Sequence, residues 1–169
     1  MAFRYARFMM GNAVRRSALV FTVSEASRAD ILRFYPATDP DKVHVVPNAI
    51  DAELLQDPGP DEMERVKERY QLRGRFVLFA GNVKPHKNLV RLLEAVELIR
   101  QRIPHDLVIV GRSEGFITGD HQVRARAAKL GDRVRFVDEL DHDDLLLRRY
   151  YACADLLVLP SLYESFGLP

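Results

Sequence analysis

The residues best suited to chemistry lie in four short segments, each behind an apolar run. Gly81-Asn82-Val83-Lys84-Pro85-His86-Lys87-Asn88 follows Phe76–Ala80 and precedes a helical pattern. Gly81 permits close backbone approach, and Lys84 and Lys87 bring full charges. The first N–H groups of a helix capped by Asn88 add partial positive charge. Together these make a cradle for an anion, above all a phosphate group; the competing reading is a solvated loop with two lysines. Neither a GxGxxG nor a Walker pattern is present, which excludes a dinucleotide fingerprint and an ATPase loop.

The other three segments are each open to two readings. Gly111-Arg112-Ser113-Glu114-Gly115, after Leu107–Val110, fits a ligand-facing loop or an ordinary turn. Asp138-Glu139-Leu140-Asp141-His142-Asp143-Asp144 clusters carboxylates around a histidine, a set that suits a divalent cation. Asp141 equally caps a helix whose N-terminal dipole Asp143 and Asp144 favour, and that helix start is the expected outcome. Pro160-Ser161-Leu162-Tyr163-Glu164-Ser165-Phe166-Gly167-Leu168-Pro169 offers a carboxylate, hydroxyls and backbone N–H groups to a polyhydroxylated ligand, or is a turn carrying one glutamate.

The elements that must position these loops are legible from periodicity. Strands are predicted over Ala18–Val23, Val43–Val46, Phe76–Ala80, Leu107–Val110, Val134–Val137 and Leu156–Leu159. Several are continuously apolar, as strands buried on both faces of a parallel sheet must be. A basic helix precedes the first strand. Ser24 caps a helix with Ala26, Ile31, Leu32 and Tyr35 on one face, stopped by Pro36. Asp61 is expected to cap a charged helix to about Leu72. Asn88 opens the clearest helix, with Leu89, Leu92, Leu93, Val96 and Ile99 on one stripe and Pro104 as its stop. Further helices are predicted over Asp120–Leu130, with Gly131 as C′ residue, and Asp141–Ala154. Alternating strands and helices give an α/β class with a Rossmann-like, doubly wound parallel sheet. In such sheets ligands bind at the carboxyl ends of the strands, where the four segments lie.

Composition narrows the function classes. The 169 residues, 47% hydrophobic and 29% charged, suit a globular domain, and a net charge of +1 creates no field for nucleic acid. The single Cys153 excludes an internal disulfide and a cysteine-cluster metal site, and is expected to be a small buried hydrophobe. No apolar run approaches the roughly 20 residues that span a bilayer. Met1 to Arg16 is basic without the apolar core of a signal peptide. A cytoplasmic domain is therefore the expectation. A boundary is expected near Pro47-Asn48-Ala49-Ile50-Asp51, followed by the linker chemistry of Asp57-Pro58-Gly59-Pro60-Asp61.

Four collinear segments carry a family resemblance. Ser161-Leu162-Tyr163-Glu164-Ser165-Phe166-Gly167-Leu168-Pro169 resembles the donor-site signature of glycosyltransferase family four, the group 1 glycosyltransferases. Val20-Phe21-Thr22-Val23-Ser24-Glu25-Ala26-Ser27 resembles the strand and helix closing the family's N-terminal domain. Val43-His44-Val45-Val46-Pro47-Asn48-Ala49-Ile50-Asp51 resembles its interdomain linker, with Ala49 where Gly is usual. Gly81 through Asn88 resembles its phosphate loop. The resemblance runs from about Ala18 to Pro169.

It implies a GT-B fold, with residues 1–50 ending the acceptor-side domain and residues 51–169 forming an incomplete nucleotide-sugar-binding domain. It implies transfer of a sugar from a UDP- or GDP-sugar, retaining and metal-independent, with no cofactor beyond that donor. Pro85-His86-Lys87-Asn88 points toward a mannosyltransferase-like branch. Lys87 and Glu164 take the catalytic positions, Lys87 against the leaving diphosphate and Glu164 near the transferred sugar. Gly81, Asn82, Lys84, Gly111, Val137, Leu140, Ser165, Phe166, Gly167 and Leu168 take donor-binding positions. Asn82 stands where the family commonly has Arg, so Lys84 is the candidate second cation. The resemblance also implies a glycan or lipid-linked acceptor, and peripheral contact of the parent enzyme with the inner membrane face. The family's second glutamate is expected eight positions after Glu164, whereas the chain ends five after it. The chain is thus expected to be an internal piece of a longer enzyme, poorly active alone. The alternative is a non-catalytic nucleotide- or phosphate-binding Rossmann module.

Overall fold

The computed structural model describes residues 2–50, 52, 59–69, 72, 74–111, 121–137 and 144–167. They fall into two compact units, Met1–Ile50 with Glu164–Leu168, and Asp51–Tyr163.

The first unit runs α1 (Ala2–Arg16), β1 (Val20–Thr22), α2 (Glu25–Phe34) and β2 (Val43–Val45). The strands pair in parallel, Val20 opposite Val43 and Thr22 opposite Val45. Strand β1 is shorter than the predicted Ala18–Val23; ahead of it, Ser17 N–H donates to the Ala13 carbonyl at the end of α1. Ser24 caps α2 as expected, its Oγ accepting from Ser27 N–H at 3.1 Å. Tyr35 closes the helix by donating its N–H to the Ile31 carbonyl. The helix fully buries none of its residues, and Ala26, expected on the inner face, is exposed.

The second unit carries α3 (Pro60–Arg69), β3 (Phe76–Ala80), α4 (Leu89–Ile99), β4 (Asp106–Val110), α5 (His121–Leu130), β5 (Val134–Val137), α6 (Asp144–Cys153) and β6 (Leu156–Leu157). The four strands form a parallel sheet in the order β5-β4-β3-β6. Alternation along β3 and β4 divides the core by sheet face. Phe79, Leu107 and Ile109 meet Leu89, Leu92, Leu93 and Val96 of α4 and Val123, Ala127 and Leu130 of α5. Phe76, Leu78, Val108 and Val110 meet Leu72 and Tyr150 on the other face. A sheet covered on both faces explains why β3 and β4 read as unbroken apolar runs. Strand order reverses between β3 and β6, which makes that gap the topological switch point.

Several boundaries differ from the sequence reading, most by a residue or a few. Asp61 does not open α3; Pro60 does, with Met63 N–H reaching the Gly59 carbonyl at 3.2 Å. Proline suits a first helical position because its missing N–H would lack a partner there anyway. Helix α4 stops at Ile99, ahead of Pro104, in a turn where Arg102 and Ile103 N–H both donate to the Ile99 carbonyl. Strand β6 covers two residues rather than four, although Val158 N–H still reaches the Leu78 carbonyl. Asp120 and Asp141 to Asp143 lie outside the described residues. Cys153 is half-buried rather than buried; its thiol donates to the Met63 carbonyl, and burial pushes its pKa up. A raised pKa favours the thiol over the nucleophilic thiolate.

At the amino edge of the sheet Asp155 ties β6 to β3. Its carboxylate accepts from Arg75 Nε at 3.0 Å and from Phe76 N–H at 3.2 Å, with His105 Nε2 at 3.8 Å. The Arg75 hydrogen bond, foremost, holds the Asp155 pKa below its ordinary value. A depressed folded-state pKa gives stability that is present above the unfolded carboxylate value of about 3.9 and lost as pH falls through the folded value. Asp155→Asn is therefore expected to melt below wild type at pH 7. The gap should narrow as the pH drops below about 4. Thermal unfolding followed from pH 7 to 3 checks this; a gap that widens in acid would contradict it.

Candidate functional site

The loop after β3 is built on one buried anchor. Val83 is fully buried in the α4–α5 face of the core, which pins the stretch between exposed Asn82 and half-buried Lys84. Pro85–Lys87 then forms a single 3₁₀ turn, closed by Lys87 N–H to the Lys84 carbonyl at 3.0 Å. The turn returns Lys87 to the strand end: its Cε lies 3.8 Å from where a Cβ on Gly81 would stand. Lys84 and Lys87 are both half-buried, and His86 is exposed.

Asn88 is not the helix cap that the sequence suggests. It adopts a left-handed backbone (φ 58°, ψ 32°) and its side chain makes no capping bond. Arg91 and Leu92 N–H both turn to its carbonyl, and α4 carries no acidic residue in its first turn. The positive end of the α4 dipole thus has neither a side-chain cap nor a carboxylate of its own. With Lys84 and Lys87 just ahead, this is an environment that favours a bound anion.

The strand ends are stitched together beyond the regular ladders. Gly81 N–H donates to the Val110 carbonyl at 2.8 Å, and Gly111 N–H to the Val137 carbonyl at 3.0 Å. Gly111 has φ +136°, and a Cβ there would stand 2.4 Å from the Gly81 carbonyl oxygen. Gly111 therefore serves the site by letting its backbone lie against Gly81. Val137, assigned to the donor by sequence, spends its carbonyl on this stitch.

On the other side of the switch point, the segment after β6 is bonded to the same loop. Asn88 Nδ2 donates to the Pro160 carbonyl at 3.0 Å, and Leu162 N–H donates to the His86 carbonyl at 2.8 Å. Between these two bonds, Ser161 Oγ is buried without a hydrogen-bond partner among the described residues. The next residues group with the first unit: the Ser165 carbonyl accepts from both Ser24 Oγ and Ser27 Oγ. Glu164 and Gly167 are half-buried, and Ser165 and Phe166 are exposed.

Gly81, Asn82, Lys84, Lys87, Gly111 and Val137 are thus gathered at the carboxyl edge of one sheet. Glu164, Ser165, Phe166 and Gly167 belong to the other unit. Leu140 and Leu168 lie outside the described residues, as do Arg112 to Gly115 and most of the acidic segment Asp138–Asp144. No cluster of potential metal ligands occurs among the described residues. Sequence reasoning missed Val83 as the loop's anchor and Asn88 as a bridge. The apolar residue inside a polar loop was the available signal for the first.

A cavity of about 680 Å³ lies elsewhere, in the first unit, between α1 and the Phe34–Thr38 turn. It includes none of the sequence-predicted site residues. Two of its cations serve the fold. Lys42 Nζ donates to the Val14 and Ser17 carbonyls at the end of α1, and Arg15 donates to Asn12.

Comparison with known proteins agrees with this architecture. Residues 74–169 match the family model of the glycosyl transferases group 1. The chain is 33% identical over 165 residues to the D-inositol 3-phosphate glycosyltransferase of Jonesia denitrificans, covering 92% of this chain and 38% of that protein. It is 29% identical over 174 residues to the O-antigen chain mannosyltransferase B of Escherichia coli, covering 98% and 43%. It therefore spans about two fifths of the length of these relatives. The crystal structure of Anabaena Alr3699/HepE in complex with UDP and glucose superposes with a TM-score of 0.79 at 21% identity, over 95% of this chain and 43% of that one. That likeness shows the fold. With more than half of its length matched by the family model, in the sheet that carries the cationic loop, the chain belongs to the group 1 glycosyl transferases.

Proposed function

We propose that this chain carries the donor-binding part of an enzyme that transfers a sugar from a nucleoside-diphosphate sugar to an acceptor hydroxyl. In that reaction the bond between the anomeric carbon and the diphosphate breaks, and a bond from the same carbon to the acceptor oxygen forms. The acceptor's proton leaves with the diphosphate or to solvent. Negative charge grows on the departing phosphate, and it needs compensation in the transition state.

The observation that carries the proposal is the return of Lys87 to Gly81 at the switch point, beside a helix start that holds no carboxylate of its own. Lys87 supplies the compensating charge, with Lys84 as the second cation in place of an arginine at Asn82. Glu164 is assigned to the transferred sugar, and the Phe166 and Gly167 N–H groups to its hydroxyls. The reaction is proposed to be retaining and to need no metal. UDP- and GDP-sugars are the donor class; the similarity to a mannosyltransferase and the Pro85-His86-Lys87-Asn88 segment support mannose as the sugar. A glycan or lipid-linked hydroxyl is the proposed acceptor.

The test is calorimetric titration of the 169-residue chain with UDP, GDP, UDP-glucose and GDP-mannose, each with and without EDTA. Saturable binding that EDTA leaves unchanged is expected. Binding that disappears on chelation would overturn the metal-free assignment, and absence of binding by all four would overturn the donor site.

A further inference from the structure

We infer that Asn88 is a positioning residue that locks the Gly81–Lys87 loop to the Pro160–Tyr163 segment across the β3–β6 switch point. Two observations meet at this residue. Its backbone is the one left-handed non-glycine conformation among the described residues, at φ 58°. Its side-chain amide, instead of capping α4, donates to the Pro160 carbonyl at 3.0 Å. Asparagine is among the few residues that tolerate a left-handed backbone and also carry a side-chain donor. Glycine would meet the first demand and not the second. Aspartate would meet the first and place an acceptor against an acceptor.

The lock acts on Lys87 directly, because Lys87 is its neighbour and the last residue of the 3₁₀ turn that Asn88 closes with its N–H to the Pro85 carbonyl. Leu162 N–H to the His86 carbonyl is the second bond of the same bridge. With both bonds made, the cationic loop and residues 160–163 are held against each other. A ligand that touches both then binds without first ordering them. This consequence for donor affinity rests on the donor-site proposal; the lock itself does not.

Three variants of the 169-residue chain separate the possibilities. Asn88→Gly keeps the backbone conformation and removes the donor. Asn88→Asp keeps the shape and reverses the hydrogen-bonding sense. Asn88→Ala loses donor and backbone compatibility together and reports the folding cost. One readout is amide hydrogen exchange at Leu162, and the other is calorimetric affinity for UDP. Loss of a neutral hydrogen bond corresponds to a factor of about 2 to 13. Asn88→Gly and Asn88→Asp are expected to speed Leu162 exchange by about that factor and to weaken UDP binding similarly, with native circular dichroism. Wild-type exchange in a folded Asn88→Gly would overturn the lock. Faster exchange with unchanged UDP affinity would overturn the positioning role. If wild type binds no UDP while Leu162 protection still depends on Asn88, the donor site falls and the lock stands.

Discussion

Lys87→Ala is expected to weaken UDP binding by this chain about 10- to 150-fold, the equivalent of losing one charge-assisted hydrogen bond of about 1.5–3 kcal/mol. The expectation follows from placement: the 3₁₀ turn sets the Lys87 stem beside Gly81, at the edge where β3 ends. Lys87→Arg keeps the charge with a different shape and should retain part of the affinity. Lys84→Ala is the comparison. If Lys84 is the second cation, its loss should approach that of Lys87; a small effect would leave Lys87 as the one cation contacting phosphate. Within a complete enzyme the loss in turnover should exceed the loss in binding, since leaving-group charge is greatest in the transition state. A folded Lys87→Ala chain with wild-type UDP affinity would remove the phosphate assignment.

Gly111→Ala should cost more stability than any other single methyl added to the described carboxyl edge. Its Cβ would stand 2.4 Å from the Gly81 carbonyl oxygen and 2.7 Å from the Gly81 carbonyl carbon, both backbone atoms in the stitched edge. A strained backbone costs about 1–3 kcal/mol, and the overlap adds a cost of similar size, about 1–3 kcal/mol, by forcing the strand ends apart. For a chain of this size a total of about 3 kcal/mol lowers the melting temperature by roughly 6–12 °C. Gly131→Ala serves as the control, because Gly131 is also left-handed, at φ +58°, but has nothing within 4 Å of a Cβ. It should cost only about 1–2 kcal/mol. UDP affinity should fall in Gly111→Ala and not in Gly131→Ala. Equal melting temperatures for the two variants would show that the contact between Gly81 and Gly111 yields without penalty.

The elements were legible where one signal dominated. Phe76–Ala80 and Val134–Val137 coincide with the predicted strands, and the Leu89-Leu92-Leu93-Val96 stripe is the buried face of α4. Ser24 caps where the pattern placed it. Strand order was not legible, because apolar runs say that a strand is buried and not which neighbour it takes. Asn88 was misread for a specific reason. Asparagine is favoured both as a helix cap and in the left-handed region, and sequence cannot choose between them. The carbonyl of Pro160, 72 positions away, decides. Asp61 misled in the same way, since a good capping residue followed a proline better suited to begin the helix. The place of Lys84 and Lys87 at the carboxyl edge, by contrast, was legible, because both follow directly on an unmistakable apolar strand.

The two-residue strand β6 has a kinetic consequence. It sits at one end of the order β5-β4-β3-β6, with Leu156 56% and Leu157 36% exposed. Its junction with β3 joins residues 79 apart, Phe76 and Asp155. Loop closure over that distance weighs on the folding rate before the contact rewards it, so β3, β4 and β5 can assemble while β6 is still unattached. Until it docks, Pro160 and Leu162 have no fixed place from which to reach Asn88 and His86. The same inequality is expected to order the native fluctuations: a two-residue strand has few bonds to lose, so its detachment should cost less than global unfolding. A ligand that contacts both loops would therefore act as a latch on the last piece to fold. Its clearest signature would be slowed exchange and slowed proteolysis across residues 156–163, with the interior of β3 and β4 unchanged.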